Sequence, residues 1–136
     1  GKVSNLIVGF NNVKLLNGIE TNPYTKKPTL KLILNSEQIN FFNKLESVII
    51  EKVNIPENEF KSSLKNNQLT LKILERYDRY EIEVKNTNEE FLTSNNLSCG
   101  MTVDINFHIK NVWSLKNKGK MMHGFILYAK DILIKD

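Results

Sequence analysis

In "GMTVDINFHIKNVWSLKNKGKMMHGFILYAKDILI", Gly100 to Ile134, the order of apolar and polar residues sets out two strands joined by a Lys-rich loop. From Met101 the apolar residues fall on alternate positions. Met101, Val103, Ile105, Phe107 and Ile109 share one face, and Thr102, Asp104, Asn106, His108 and Lys110 share the other. A period of two over this length is a half-buried strand, not a helix. The apolar run Phe125 to Ile134 is the last strand, and the loop with Lys116, Lys118 and Lys120 joins the two as a hairpin. The chain's single tryptophan, Trp113, lies on that hairpin. If the phase persists from Met101, Trp113 and Leu115 join Val103 and Phe107 in the core. A bulge near Asn111-Val112 turns the ring outward instead. Both phases stay open.

Working outward, Leu6 to Phe10 and Val13 to Leu16 read as strand, with Asn11-Asn12 as a bulge or kink. A turn-rich loop with Pro23 and Pro28 follows, then a short strand from Thr29 to Leu34. The period then changes. Ile39, Phe42, Leu45, Ile49 and Val53 recur at three- and four-residue spacing, which predicts an amphipathic helix over about 36–53. Asn35 caps it, and Gln38 supplies the reciprocal contact. Pro56 suits the first turn of a second, short helix over about 56–65 that buries Phe60 and Leu64. Beyond Asn66-Asn67 the period returns to two. Leu69, Leu71 and Ile73, and then Tyr80, Ile82 and Val84, predict a hairpin with Asp78 at its turn and Tyr80 in the core. A polar loop spans Asn86 to Asn96, with a short piece at Phe91-Leu92.

The sum is about six strands with helices grouped after the second: mainly β with inserted helices, in the α+β class rather than alternating βαβ units. The expected architecture is an OB-fold-like Greek-key β-barrel. With 136 residues and no internal repeat or linker, one domain over 1–136 is expected. An apolar content of 40% fits a packed core. No apolar run approaches the ~18–20 residues of a membrane span. The start, GKVSNLIVGF, lacks the pattern of a secretory leader. The lone Cys99 forms no internal disulfide, so a reducing, intracellular compartment is expected.

Catalytic chemistry finds little support. Cys99 with His108 or His123 is the one thiol pairing available, and nothing local activates the thiol. Two histidines and one cysteine fall short of the four-ligand Cys/His set of a structural zinc site. No glycine-rich phosphate loop precedes a helix. Asp78, Glu81, Glu83 and Asp104 are the carboxylates that a metal-assisted nuclease would need, and mixed charge on a solvated strand face explains them more simply. The expectation is no enzyme, no cofactor and no metal.

Single-strand binders need cations that displace counterions from phosphates, and aromatic faces on which bases stack. Three segments join the two. "ERYDRYEIEVK" carries Arg76, Tyr77 and Arg79, and holds both arginines of the chain; arginine is the better residue for stacking and phosphate forks. "NPYTKKPTLK" carries Tyr24, Lys26, Lys27 and Lys31. The hairpin carries Lys110, Trp113, Lys116, Lys118 and Lys120. The net charge of +4 permits an anionic partner without demanding one. The expected phosphate ligands are Lys26, Lys27, Arg76, Arg79, Lys110, Lys116, Lys118 and Lys120. The stacking candidates are Tyr24, Tyr77 and Trp113. An alternative is a protein adaptor with Phe91, Met121 and Met122 as its contacts.

The C-terminal half, from "LERYDRYEIEVK" to "GFILYAKDILI", resembles the single-stranded DNA-binding proteins of large DNA viruses and some phages. The shared pattern is a tyrosine-containing strand ending in Lys (Tyr80 to Lys85), a loop with an aromatic (Phe91) and a Leu-x-x-Gly lead (Leu97 to Gly100). A long strand then ends in an aromatic (Val112-Trp113). A Lys/Gly/Asn loop and a closing strand that begins at Gly124-Phe125 complete it. The resemblance implies an OB-fold that coats single strands without sequence preference, often with self-association on DNA. It implies a role in DNA replication and recombination at a viral replication site in the host cell, beside replication proteins. RNA is the alternative ligand, since no residue marks a 2′-hydroxyl contact. Many such proteins end in an acidic tail, whereas the last residues here are Lys135-Asp136.

Overall fold

The computed structural model describes residues 6–135; residues 1–5 and 136, which the expected domain includes, lie outside them. Eleven strands and one α-helix follow one another among these residues. They are β1 (Leu6–Leu15), β2 (Glu20–Thr21), β3 (Pro28–Ile33), α1 (Ser36–Lys52), β4 (Leu64–Lys65), β5 (Gln68–Lys72), β6 (Glu75–Arg76), β7 (Arg79–Tyr80), β8 (Glu83–Asn86), β9 (Phe91–Leu92), β10 (Thr102–Asn117) and β11 (Lys120–Ile134).

Five strands, in the order β5-β3-β1-β10-β11, form a sheet that closes on itself where Tyr128 of β11 pairs with Lys72 of β5. Around this path β1 is antiparallel to β3 and to β10, β3 to β5, and β10 to β11, while the closing β11–β5 contact is parallel. This is the five-stranded barrel of an OB-fold, as expected. The alternation predicted its core face. Val103, Ile105, Phe107 and Ile109 are all buried, and they meet Leu30, Leu32, Leu69, Leu71 and Leu127 inside the barrel. The irregularity expected at Asn11-Asn12 is present: the β1–β10 register shifts between Phe10 and Val13, Asn12 adopts φ +52°, and its amide donates to Asp104 Oδ1.

Helix α1 begins where the capping pair sets it. Asn35 Oδ1 accepts from the Gln38 amide, and Gln38 Oε1 accepts from the Asn35 amide, each at 2.9 Å. Phe42 and Ile49 carry its buried stripe onto the barrel, and Val53 is its C-cap.

Two expectations are corrected. No helix spans 56–65; a single 3-10 turn over Glu57–Glu59 stands there. The next residues are pulled into extended pairing instead. Phe60 bridges to His123, the Lys61 amide donates to the His123 carbonyl at 2.8 Å, and the Phe60 ring packs 5.1 Å from that of Phe125. A turn this short cannot hold a helix against such tertiary pairing. Nor do the strands around Asp78 form one long hairpin. Tyr77 and Asp78, at φ +53° and +61°, make a tight turn between β6 and β7, and that pair is a separate two-stranded sheet. β5 pairs with β3, while β8 lies parallel to β11 with Val84 opposite Ile132. Tyr80 is consequently 38% exposed rather than in the core.

Candidate nucleic-acid interface

Beyond Ile109 the β10–β11 hairpin runs past the barrel as an arm. Its register shifts between Ile109, opposite Leu127, and Asn111, opposite Ile126, so β10 carries one extra residue, Lys110. A bulge reverses the faces that follow it. Val112 therefore packs toward the core, and Trp113 turns to the outer side, half-buried. Trp113 pairs with Gly124 across the arm. A Cβ built on Gly124 would fall inside contact distance of indole Cε2, Cζ2 and Nε1, so the ring lies flat on the β11 backbone where no side chain stands. On the opposite face Ser114 Oγ and His123 Nδ1 are 2.6 Å apart. The tip is a tight turn at Lys118 and Gly119, φ +50° and +81°, that leaves Lys116, Lys118 and Lys120 exposed.

Trp113 forms one wall of a groove of about 460 Å³. Its floor is the outer face of β3 and β5, where register puts Thr29 opposite Lys72 and Lys31 opposite Thr70. The remaining wall is the segment from Lys61 to Lys65. Four lysines thus line the groove: Lys31, Lys61, Lys65 and Lys72. In OB-folds, the face of the second and third barrel strands and the loops joining strands one to two and four to five are the parts that bind oligonucleotides or oligosaccharides. Here these are the β3–β5 face, the 16–27 loop and the β10–β11 arm.

The Lys61–Lys65 wall is tied down by a buried carboxylate. Glu46 of α1, 4% exposed, accepts from Ser62 Oγ at 2.5 Å and from the Ser63 amide at 3.3 Å. Burial raises its pKa above the ordinary 4.5, and the two hydrogen bonds pull it partly back. Ser63 Oγ in turn donates to the Phe125 carbonyl at 3.4 Å, beside the glycine beneath Trp113.

The structure brings only part of the expected set to this groove. Trp113 lines it, and the hairpin lysines stand along the same arm. Lys27 lines an adjoining cavity that shares Lys72 with the groove. Lys110 places its Nζ 5.5 Å from the Tyr128 ring centroid. Tyr24 is 92% exposed and Lys26 takes φ +60° in a β2–β3 loop, where Asn22 Oδ1 accepts from the Tyr24 and Thr25 amides. Arg76, Tyr77 and Arg79 belong to the β6–β7 hairpin, where Tyr77 is 93% exposed and Arg76 pairs with Glu81 at 3.0 Å. None of these last five residues lines the Trp113 groove. Lys61, Lys65 and Lys72 carry no local signal, because the 61–65 segment and β5 are brought against Trp113 by the fold alone. Lys31 lies in a basic-aromatic segment, but nothing local separates it from the other lysines there. Tyr128 stands on the outward phase of β11 with Gly124 and Ile126.

The chemistry-bearing residues outside the groove stay apart. Among the described residues no three His, Cys, Asp or Glu side chains could hold a metal ion. Asp104 accepts from Lys135 Nζ at 3.2 Å, and Cys99 is an exposed free thiol. His108 is half-buried, its Nδ1 buried without a hydrogen-bond partner. Desolvation, then Lys110 and Lys130, hold its pKa below the ordinary 6.5, against an upward pull from Asp131.

No family model matches the chain, and no curated protein matches it. Solved structures do. A C-terminally truncated single-stranded DNA-binding protein from bacteriophage Enc34 is 12% identical, with a TM-score of 0.56 over 96% of this chain and 86% of that one. The single-stranded DNA-binding protein from the same phage in complex with ssDNA is 14% identical, with a TM-score of 0.55 and the same coverage. At these identities the likeness is one of fold.

Proposed function

We propose that this chain binds single-stranded DNA, laying the strand along the groove between Trp113 and the β3–β5 face. The observation that carries the reading is the outward-facing Trp113 ring beside Lys31, Lys61, Lys65 and Lys72. Lysines displace counterions from phosphates, and an indole face accepts any base, which gives binding without sequence preference. The Enc34 protein with the same fold, described in complex with ssDNA, supports the choice of ligand. The reading extends to a non-enzymatic protein that coats single strands during viral DNA replication or recombination, with the tip lysines Lys116, Lys118 and Lys120 reaching neighbouring phosphates.

The test is fluorescence anisotropy of labelled oligo-dT across a salt series with duplex competitor. Each neutralised phosphate contributes about 0.7 to the slope of log K against log salt on single strands. Four groove lysines therefore predict a slope of about −3, steeper if the tip takes part. A salt-insensitive signal, or preference for the duplex, rejects the reading.

A second reading, an adaptor within a replication or transcription complex, draws on exposed apolar side chains: Phe91 at 70%, Leu115 at 60% and Met121 at 39%. Size-exclusion chromatography separates the two, since a coating protein shifts its elution with oligonucleotide and an adaptor does not.

A further inference from the structure

Tyr128 lies four residues from Gly124 on the same face of β11, because β11 carries no bulge between them. At ~3.3 Å per residue this puts Tyr128 about 13 Å along the strand from the Trp113–Gly124 pair. Its ring borders a cavity of about 250 Å³ whose other walls include Lys27, Pro28, Ile73, Leu74 and Glu75. That cavity and the Trp113 groove meet at Lys72, which lines both and pairs with Tyr128 at the barrel closure. We infer that this cavity is a second nucleobase subsite on the same strand path, with Tyr128 as its stacking face. The inference rests on the reading of the Trp113 groove as a single-strand site.

The walls select a base rather than a phosphate. Leu74 and the Tyr128 phenol ring, both partly exposed, offer apolar surface over the buried Pro28 and Ile73, and the Glu75 carboxylate repels a phosphate placed among them. The cations stand around it: Lys27 and Lys72 border the cavity, and Lys110 approaches the ring from the β10 side. This is the arrangement that a nucleotide needs, a ring face for the base and ammonium groups for the flanking phosphates. The volume falls below the ~300–1,000 Å³ of sites for drug-sized ligands, which suits one base. Lys110 contributes twice: its ammonium steadies the ring through a cation–π contact and adds positive charge beside it.

The experiment compares wild-type protein with Tyr128→Phe and Tyr128→Leu, binding labelled oligo-dT of about 16 nucleotides, the upper end of the span of one OB-fold. Trp113 fluorescence is followed in parallel. Tyr128→Phe keeps the ring and binds as wild type. Tyr128→Leu binds between roughly fivefold and a hundredfold more weakly, the cost of one lost stacking contact. Its salt slope is unchanged, because no phosphate contact is removed, and Trp113 is still quenched at saturation. Wild-type affinity in Tyr128→Leu while Trp113 remains quenched by the oligonucleotide overturns the second subsite and leaves the groove reading intact. Absence of oligo-dT binding by the wild type rejects the groove reading and the subsite with it. If the leucine variant fails to fold, cross-linking of 5-iodouracil oligonucleotides to the wild type decides. Adducts at Tyr128 as well as Trp113 support the subsite, and adducts at Trp113 without Tyr128 overturn it.

Discussion

Trp113 faces the groove because Lys110 is one residue too many for the β11 strand opposite. The alternation from Met101 to Ile109 was legible in the sequence, but the phase beyond it was not. A bulge arises from the pairing of two strands, and a lone Lys in a strand leaves no mark of it. Gly124 is the complementary residue, since any side chain there meets the indole. Gly124→Ala is therefore expected to lift the ring and weaken oligo-dT binding by about 1–3 kcal/mol, the worth of one stacked base. Anisotropy reads the loss, and a shifted Trp113 emission maximum in the free protein accompanies it. Glu46 makes a prediction about pH. Its folded-state pKa is raised, so the folded protein holds this proton more tightly than the unfolded chain does. Stability then falls as pH rises from about 4.5 through the raised value, and levels off above it. Glu46→Gln removes that dependence. The melting temperature of the variant relative to wild type should climb as pH is raised from 4.5 toward neutrality; a constant difference contradicts the assignment.

At the scale of elements, α1 was the most legible piece. Its apolar spacing and the Asn35–Gln38 capping pair are local properties, and both are found as expected. Phe42 is fully buried where α1 meets the barrel, and Phe42→Ala should cost about 3–5 kcal/mol in a denaturant titration. The residues 56–65 show the limit of local reasoning. Pro56 does open a turn, but the backbone of Phe60 and Lys61 is claimed by His123, more than sixty positions away. The stretch around Asp78 teaches the same lesson. Period two marks a strand without naming its partner, and β8 finds β11 instead of β5. The tip of the arm gives a clean test, because Lys116, Lys118 and Lys120 are exposed and hold nothing together. Replacing all three by Ala should leave the melting temperature unchanged. The salt slope should flatten by about 0.7 for each lysine that meets a phosphate, up to about 2.

For the whole molecule, the barrel brings together what the chain disperses. β3 contributes Lys31, the segment before β5 contributes Lys61 and Lys65, β5 contributes Lys72, and the arm contributes Trp113. Runs of basic and aromatic residues pointed to the hairpin and reached Lys31 on β3, but none marked Lys61, Lys65 or Lys72, which stand singly among other residue types. The two arginines that looked most informative lie on the separate β6–β7 hairpin, one of them already paired with Glu81. On the proposed reading a single strand lies between this face and the single tryptophan, and titrating the protein with poly-dT while following Trp113 fluorescence checks it. Saturable quenching that is reversed by salt and weakened in Lys31→Ala/Lys72→Ala is expected. Trp113 emission that stays unchanged while poly-dT demonstrably binds would contradict it.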